Sequence, residues 1–287
     1  MVALVNSPFI ATSSGTSRAE RLGAQVVAAL IDEARLSPKP GLVDSRGSGA
    51  HADLDLTLME RSASSLGSAF VSMAAAGLAA GAPTQALRET LGRLGRAAEA
   101  TMMATTGGIN THRGAIWALG LLVAAAAIET GRPSAVRTAA LAGAIARHAD
   151  RGAPQRSGHK GEQACRVFNV TGARGQAHAG FPHVIELGLP ELHRSRARGD
   201  GETSARLNAL LAIIGELDDT CVLSRGGLAA LVQVQRAAAA VLAAGGAGTL
   251  AGRRALQRFA VDAVTCKLSP GGAADLLAAT LFLDRLS

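Results

Sequence analysis

The sequence predicts an all-α protein, a single globular multi-helix domain with glycine-rich polar loops converging on one cleft. Apolar residues recur with helical spacing in one run after another, and no sustained period-two alternation of β-branched and aromatic residues appears. Aromatic residues supply only 2% of 287 positions, with one Trp and no Tyr, so the core has to be built from Ala, Leu, Val and Ile on closely spaced helices. With 48% hydrophobic content, a chain of this length can fill a substantial core, and disorder is not expected.

Taken in order, the first helix is announced by Ser17 and Glu20, an S-x-x-E capping box, and runs to Leu36, where Pro38 and Pro40 forbid continuation. Further helical patterns cover Leu56 to Ala80, Gln85 to Ala104, Arg113 to Glu129, Ala135 to Ala149 and Glu202 to Leu217, with three more helices between Gly227 and the end. The polar stretch His193 to Glu202 (HRSRARGDGE) reads as a mobile surface loop. No Pro/Ser/Gly-rich linker and no internal repeat divides the chain, which gives a flexible N-terminus over 1–16 and one helical domain over 17–287.

Several function classes are disfavoured by composition. Cys165, Cys221 and Cys266 form no CxxC pair, which argues against a disulfide framework and a structural zinc site and fits a reducing compartment. The longest uncharged stretch, Gly114 to Ile128, is shorter than the roughly 20 residues a membrane-spanning helix needs and reads as a buried helix. No basic n-region opens the chain, so a cytoplasmic location and no membrane association are expected. The formal charge is +7, and apart from Lys39, Lys160 and Lys267 the cations are arginines. That bias is open to two readings, genome composition or a bidentate grip on phosphate. Nucleic acid is not the expected partner, because the aromatics that would stack on single-stranded bases are nearly absent.

Five polar, glycine-bearing junctions carry the candidate chemistry. The first, SPKPGLVDSRGSGAHADLD, places Lys39, Asp44, Arg46, His51, Asp53 and Asp55 between two helices, in a connection long enough to suggest function. The second, TTGGINTHRGAIWALG, sets Gly107 and Gly108 ahead of Asn110, Thr111, His112 and Arg113 at a helix start, where glycine admits a close ligand and free amides favour an anion. The third, NVTGARGQAHAG, offers Thr171, Gly172, Arg174 and Gly175; taken alone, it is equally a simple turn with a cap. In the fourth, ELDDTCVLSRGGL, Asp218 and Asp219 end one helix and Arg225, Gly226 and Gly227 open the next, so two carboxylates face an unfavourable dipole and call for a cation or hydrogen-bond donors. The fifth, SPGGAADLLA, has Ser269, Pro270, Gly271 and Gly272 opening the last helix with Asp275 one turn in, a pattern that capping alone largely explains. Together the three Gly-Gly pairs suggest anion cradles around one polyphosphate ligand with a carboxylate-bound Mg²⁺. Neither a Walker A loop nor GxGxxG is present.

These junctions resemble those of the triphosphoribosyl-dephospho-coenzyme A synthase family. The matching stretches are LSPKPGLVDSRGSGAHADLD, ATTGGINTHRGAIWALGLL, VTGARGQAHAGFPHV, DDTCVLSRGGL and SPGGAADLLAATLFL, in family order and spanning nearly the whole chain from Leu22. The GSGAH form of the first loop and Cys221 are more similar to the malonate decarboxylase branch than to the citrate lyase branch. Arg113 stands where Lys is also familiar, which keeps the charge and changes the hydrogen-bond geometry.

The resemblance implies a helical, Mg²⁺-dependent transferase. The ribose 2′-hydroxyl of 3′-dephospho-CoA would attack the anomeric carbon of ATP's ribose and expel adenine, and nearby carboxylate would stabilise an oxocarbenium-like transition state. On that reading Asp44, Asp218 and Asp219 hold Mg²⁺ or activate the hydroxyl, with Glu33 in support. Lys39, Arg113, Arg174 and Arg225 grip phosphate, and His51 or His112 protonates the departing adenine. The remaining substrate contacts would come from Arg46, the glycines at 107, 108, 172, 226, 227, 271 and 272, and Asn110, Thr111, Thr171 and Ser269. A prosthetic-group transferase and its acyl-carrier subunit would consume the product. Two other classes stay open: an Mg²⁺-dependent N-glycosidic hydrolase and a non-catalytic nucleotide-binding regulator.

Overall fold

The computed structural model describes residues 16–154 and 158–286, so nearly all of the expected flexible segment 1–16 lies outside the described residues. Thirteen α-helices appear among them, with no strand and a single isolated bridge between Asp44 and Gly47. Helix α1 (Arg18–Arg35) starts on the capping box: Ser17 Oγ accepts from the Glu20 amide at 3.2 Å, and the Ser17 amide donates to Glu20 Oε2 at 2.6 Å. The chain then enters the long loop through a cis Ser37–Pro38 bond.

The pattern over 56–80 forms two helices rather than the one expected, α2 (Leu56–Ser65) and α3 (Gly67–Ala80). Ser64 and Ser65 donate their hydroxyls back to the Glu60 and Ser62 carbonyls, a local competition that loosens a helix, and the break lets Leu66 bury itself completely. Helices α4 (Gln85–Thr106), α5 (Arg113–Ile128) and α6 (Ala135–Arg147) agree with the periodicity to within two residues. Between 159 and 197 the structure adds α7 (Lys160–Phe168), α8 (Gly172–His178), a π-helical turn over His183–Gly188 and α9 (Leu189–Ala197), none of which the periodicity marked.

His193 to Ala197, expected in a mobile loop, is the end of α9. Arg196 forks to Glu202 and Asp284, and Arg198 to Glu191 and Asp200, so charge pairing and the favourable place of cations at a helix end fix this segment. Helix α10 (Glu202–Glu216) follows as expected, and α11 (Thr220–Ala243), α12 (Leu250–Thr265) and α13 (Gly271–Asp284) complete the chain.

Around α5, buried on nearly every face, pack α1, α3, α4, α6 and α13, and the buried apolar side chains form one contiguous cluster. Small residues substitute for aromatics in this core. A Cβ on Gly77 of α3 would fall 2.2 Å from the Ala124 carbonyl oxygen of α5, so the two backbones touch because nothing projects between them. Each fully buried Leu, Ile or Val adds roughly 1.5–3 kcal/mol. Two stretches, Leu56–Ala80 and Thr220–Ala243, are long and apolar enough to cross a membrane by length and composition. Leu66 breaks the first and Gly227, at φ 66°, kinks the second.

Candidate active site at three helix starts

The loop after α1 folds inward because its charges find partners. Lys39 is almost wholly buried, and its Nζ donates to the Glu33 carbonyl and to Glu33 Oε1, each at 2.6 Å. Such a pair resists separation, since either ion left alone would be an uncompensated buried charge. Asp44 is held by the Lys39 amide (2.8 Å), the Arg46 amide (2.8 Å) and the Arg46 guanidinium (2.7 Å). Burial pushes its carboxyl up, but the Arg46 hydrogen bond and the two amides outweigh that and hold it below the usual range.

Asp218 and Asp219 do not end a helix against its dipole, as the sequence suggested. Helix α10 closes at Glu216, and Asp219 is the N-cap of α11, where a carboxylate is favoured. Its Oδ1 accepts from the Cys221 (2.8 Å) and Val222 (3.4 Å) amides, and Oδ2 accepts from the Ala273 amide of α13 at 2.9 Å. One carboxylate thereby joins the starts of two helices. Gly272 lets it approach, because a Cβ there would lie 3.1 Å from Oδ2. Burial raises the Asp219 carboxyl against the pull of the Ala273 and Cys221 amides. Asp218 is exposed.

A third helix start enters through Asp275, one turn into α13. Its Oδ2 lies so close to Gly114, in the first turn of α5, that a Cβ there would sit 2.0 Å away. Burial, then the charges of Glu33 and Asp219, push this carboxyl well above its ordinary value. Asp275 had no assigned role in the sequence; the only local signs were its place after two glycines and the glycine in HRGA.

His112, the N-cap of α5, is buried, with Nδ1 3.0 Å from Ser62 Oγ, which in turn lies 2.6 Å from Thr111 Oγ1. Its Nε2 is buried without a hydrogen-bond partner among the described residues. Burial and the charge of Lys39 lower its pKa to about 4, so at neutral pH it is an uncharged hydrogen-bonding group rather than a ready proton donor. Arg113 pairs with Glu99 at 3.1 Å, and Asn110 accepts from the Arg113 amide.

The first, fourth and fifth junctions meet at His51. Its Nε2 is 2.9 Å from Ser269 Oγ, and Arg225 reaches the ring at 3.3 Å while donating to the Ala50 and Lys267 carbonyls. Burial, then the Arg225 charge, lower the pKa of His51.

Gly271 and Gly272 open α13 as expected, but the other two Gly-Gly pairs have different origins from those expected. Gly107 (φ 66°) and Gly108 (φ 92°) terminate α4, and the Gly108 amide donates to Met103 O at 2.8 Å, so they are a helix end rather than a start. Gly226 and Gly227 lie inside α11, which opens seven residues before Gly227 at Thr220. Gly271 and Gly272 make room for Cys221 and Asp219, and Gly172 for Cys165. Thr171 precedes α8 without capping it, and Arg174 on α8 is exposed with no hydrogen-bond or ion-pair partner among the described residues.

A protein-built metal centre finds little support in this arrangement. Glu33 is committed to Lys39, Asp44 to Arg46, and Asp219 to amides; among the described residues no three His, Cys, Asp or Glu side chains are grouped to hold a metal. A hydrated Mg²⁺ carried on substrate phosphates needs only one or two carboxylates, and the donor set fits that mode better.

The family model described as ATP:dephospho-CoA triphosphoribosyl transferase matches residues 19–287. A relative from Stutzerimonas stutzeri (strain A1501), named probable 2-(5''-triphosphoribosyl)-3'-dephosphocoenzyme-A synthase, is 59% identical over 271 residues, 94% of this chain and 93% of its own. One of the same description from Azotobacter vinelandii is 56% identical, covering 98% and 96%. The Klebsiella pneumoniae 2-(5''-triphosphoribosyl)-3'-dephosphocoenzyme-A synthase is 56% identical, covering 94% and 96%. No solved structure matches the chain.

Proposed function

Because the chain belongs to the ATP:dephospho-CoA triphosphoribosyl transferase family, we propose that it joins the triphosphoribosyl group of ATP to the ribose 2′-hydroxyl of 3′-dephospho-CoA and releases adenine. The bond from C1 of ATP's ribose to N9 of adenine breaks, a bond from that carbon to the 2′-oxygen forms, and the hydroxyl proton leaves with the adenine. The triphosphate stays on the transferred sugar.

The observation that carries this reading is the meeting of Asp219, Asp275 and the Glu33–Lys39 pair where α5, α11 and α13 begin. Positive charge developing on the ribose is stabilised by carboxylate close by, as in glycoside hydrolysis. Asp219 suits that role: two amide-bound oxygens still leave lone pairs to face the sugar or accept the hydroxyl proton. Arg225, exposed beside these helix starts, suits phosphate oxygens. His112 would offer Nε2 to substrate as a neutral partner, and His51 with Ser269 would line the adjoining wall. Mg²⁺ would arrive on the ATP triphosphate, offset its charge, and use exposed Asp218 if it uses a protein carboxylate.

The GSGAH loop and Cys221 support service to malonate decarboxylase, with a prosthetic-group transferase and acyl-carrier subunit downstream. Service to citrate lyase is the second reading. Mass spectrometry of a reaction containing both substrates tests the chemistry: dephospho-CoA should gain one triphosphoribosyl group, and its absence overturns the reading. Loading of the malonate decarboxylase or the citrate lyase carrier by its own transferase separates the two destinations.

A further inference from the structure

On the side of α5 that carries Arg113, one turn farther along, stands Trp117, the single tryptophan of the chain. The Arg88 guanidinium of α4 lies over its ring, 4.9 Å from the centroid. The indole Nε1 donates to the Ala173 carbonyl at 3.1 Å, which ties the neighbouring Arg174 to the same place. Arg174 and Arg96 stand close enough for their charges to oppose that of Arg88. Asp150 answers two of the three arginines, at 3.5 Å from Arg88 and 2.7 Å from Arg96.

Two observations are unexplained by folding alone. Arg88 is more than nine-tenths buried, yet its Nε has no hydrogen-bond partner among the described residues. An unmade hydrogen bond on a buried cation is costly, and a bound anion would supply the missing acceptor. Arg174, exposed beside it, has no anion of its own among the described residues. Three guanidiniums with one carboxylate leave an excess of positive charge against an aromatic face, in the neighbourhood of the α5 start.

We propose that Arg88 and Arg174, organised by Trp117, form an anion subsite for a phosphate chain of the substrates, either the triphosphate of ATP or the diphosphate bridge of dephospho-CoA. Guanidinium forks match phosphate oxygens in pairs, and the indole holds Arg88 in place by cation–π contact. The subsite rests on the glycosyl-transfer reading above, in which Arg174 was already expected to grip phosphate, and adds to it Arg88 and Trp117, to which neither the junction loops nor the family resemblance gave a role.

With one Trp and no Tyr, intrinsic fluorescence reports this position alone. The full-length protein is titrated separately with ATP, dephospho-CoA and inorganic tripolyphosphate, following Trp117 emission, with calorimetry in parallel. Emission should change with one substrate. A response to ATP that tripolyphosphate competes away assigns the triphosphate; a response to dephospho-CoA that tripolyphosphate competes away assigns the diphosphate bridge, and a response that tripolyphosphate leaves intact overturns the subsite. Arg174→Ala, at an exposed position that does not threaten folding, should weaken the responding substrate roughly ten- to a hundredfold, and Arg88→Lys should weaken it too. Silent emission while calorimetry shows both substrates bound, or unchanged affinity in Arg174→Ala, overturns the subsite. Product formation by the unsubstituted protein is read in the same preparations, so a failed subsite with intact turnover leaves the proposed reaction standing.

Discussion

The Asp219 carboxylate of α11 accepts the Ala273 amide of α13 at 2.9 Å while capping its own helix through Cys221, so one side chain fixes how two helix starts face each other. Asp219→Asn keeps one acceptor oxygen and turns an amino group toward amides that also donate. The expected cost is about 1–3 kcal/mol of stability and a loss of turnover on the order of a hundredfold or more. Urea denaturation and adenine release on one preparation check both. Near-normal release would remove Asp219 from the chemistry. Asp218→Asn, at an exposed position, should change stability by less than about 0.5 kcal/mol, and its turnover tells whether that carboxylate has any part.

Gly114 gives a sharper structural test. Alanine there would put a methyl 2.0 Å from Asp275 Oδ2 and force the carboxyl away from the α5 start. Gly114→Ala should keep its helical circular-dichroism spectrum and lose most of its turnover. Full activity would mean that the placement of Asp275 is immaterial.

How far the sequence reveals this arrangement depends on the range of the interaction. Ser17 with Glu20, and the apolar run that became α5, are local signals, and the structure agrees with both. Asp219 was visible as an acid between two helices and was assigned to the preceding one, although it caps the following helix through the nearby Cys221 and Val222 amides; its link to Ala273, 54 residues away, had no local signal. The GGIN glycines were read as a helix start when their positive φ angles end the previous helix. Asp275 was visible only as an acid one turn into the SPGGAADLLA helix, with nothing local to give it a role, and Arg88 carries no motif signal. Their roles come from Gly114, Trp117 and Asp150, which only tertiary packing brings to them.

The buried Glu33–Lys39 pair should be strongly coupled. Lys39→Met alone strands the Glu33 carboxylate, and Glu33→Gln alone strands the ammonium, each at a cost of about 3–5 kcal/mol. The double variant should recover a good part of that loss. A double-mutant cycle by urea denaturation measures the coupling, and additive single effects would contradict the pairing.

His112 should give the protein an acid limb. Its pKa is about 4 when folded and near 6.5 unfolded, so the unfolded chain binds the proton more tightly between those values. The stabilisation from keeping the ring neutral is complete above about pH 6.5 and is lost as pH falls through 4, a change on the order of 3 kcal/mol. His112→Asn removes that slope. Comparing denaturation of the two proteins from pH 4 to 7 should show the wild-type advantage growing with pH, and parallel curves would place His112 in a solvated or charged setting.

The central claim, transfer of a sugar to an organic acceptor at the Asp219 site, is tested most directly by adenine release from ATP with and without dephospho-CoA, followed by chromatography. Transfer predicts adenine in step with dephospho-CoA consumed and almost none in its absence. Adenine formed at the same rate without the acceptor would make the protein a hydrolase, and no adenine under either condition would make it a binder, each in contradiction to the transfer proposed for this site.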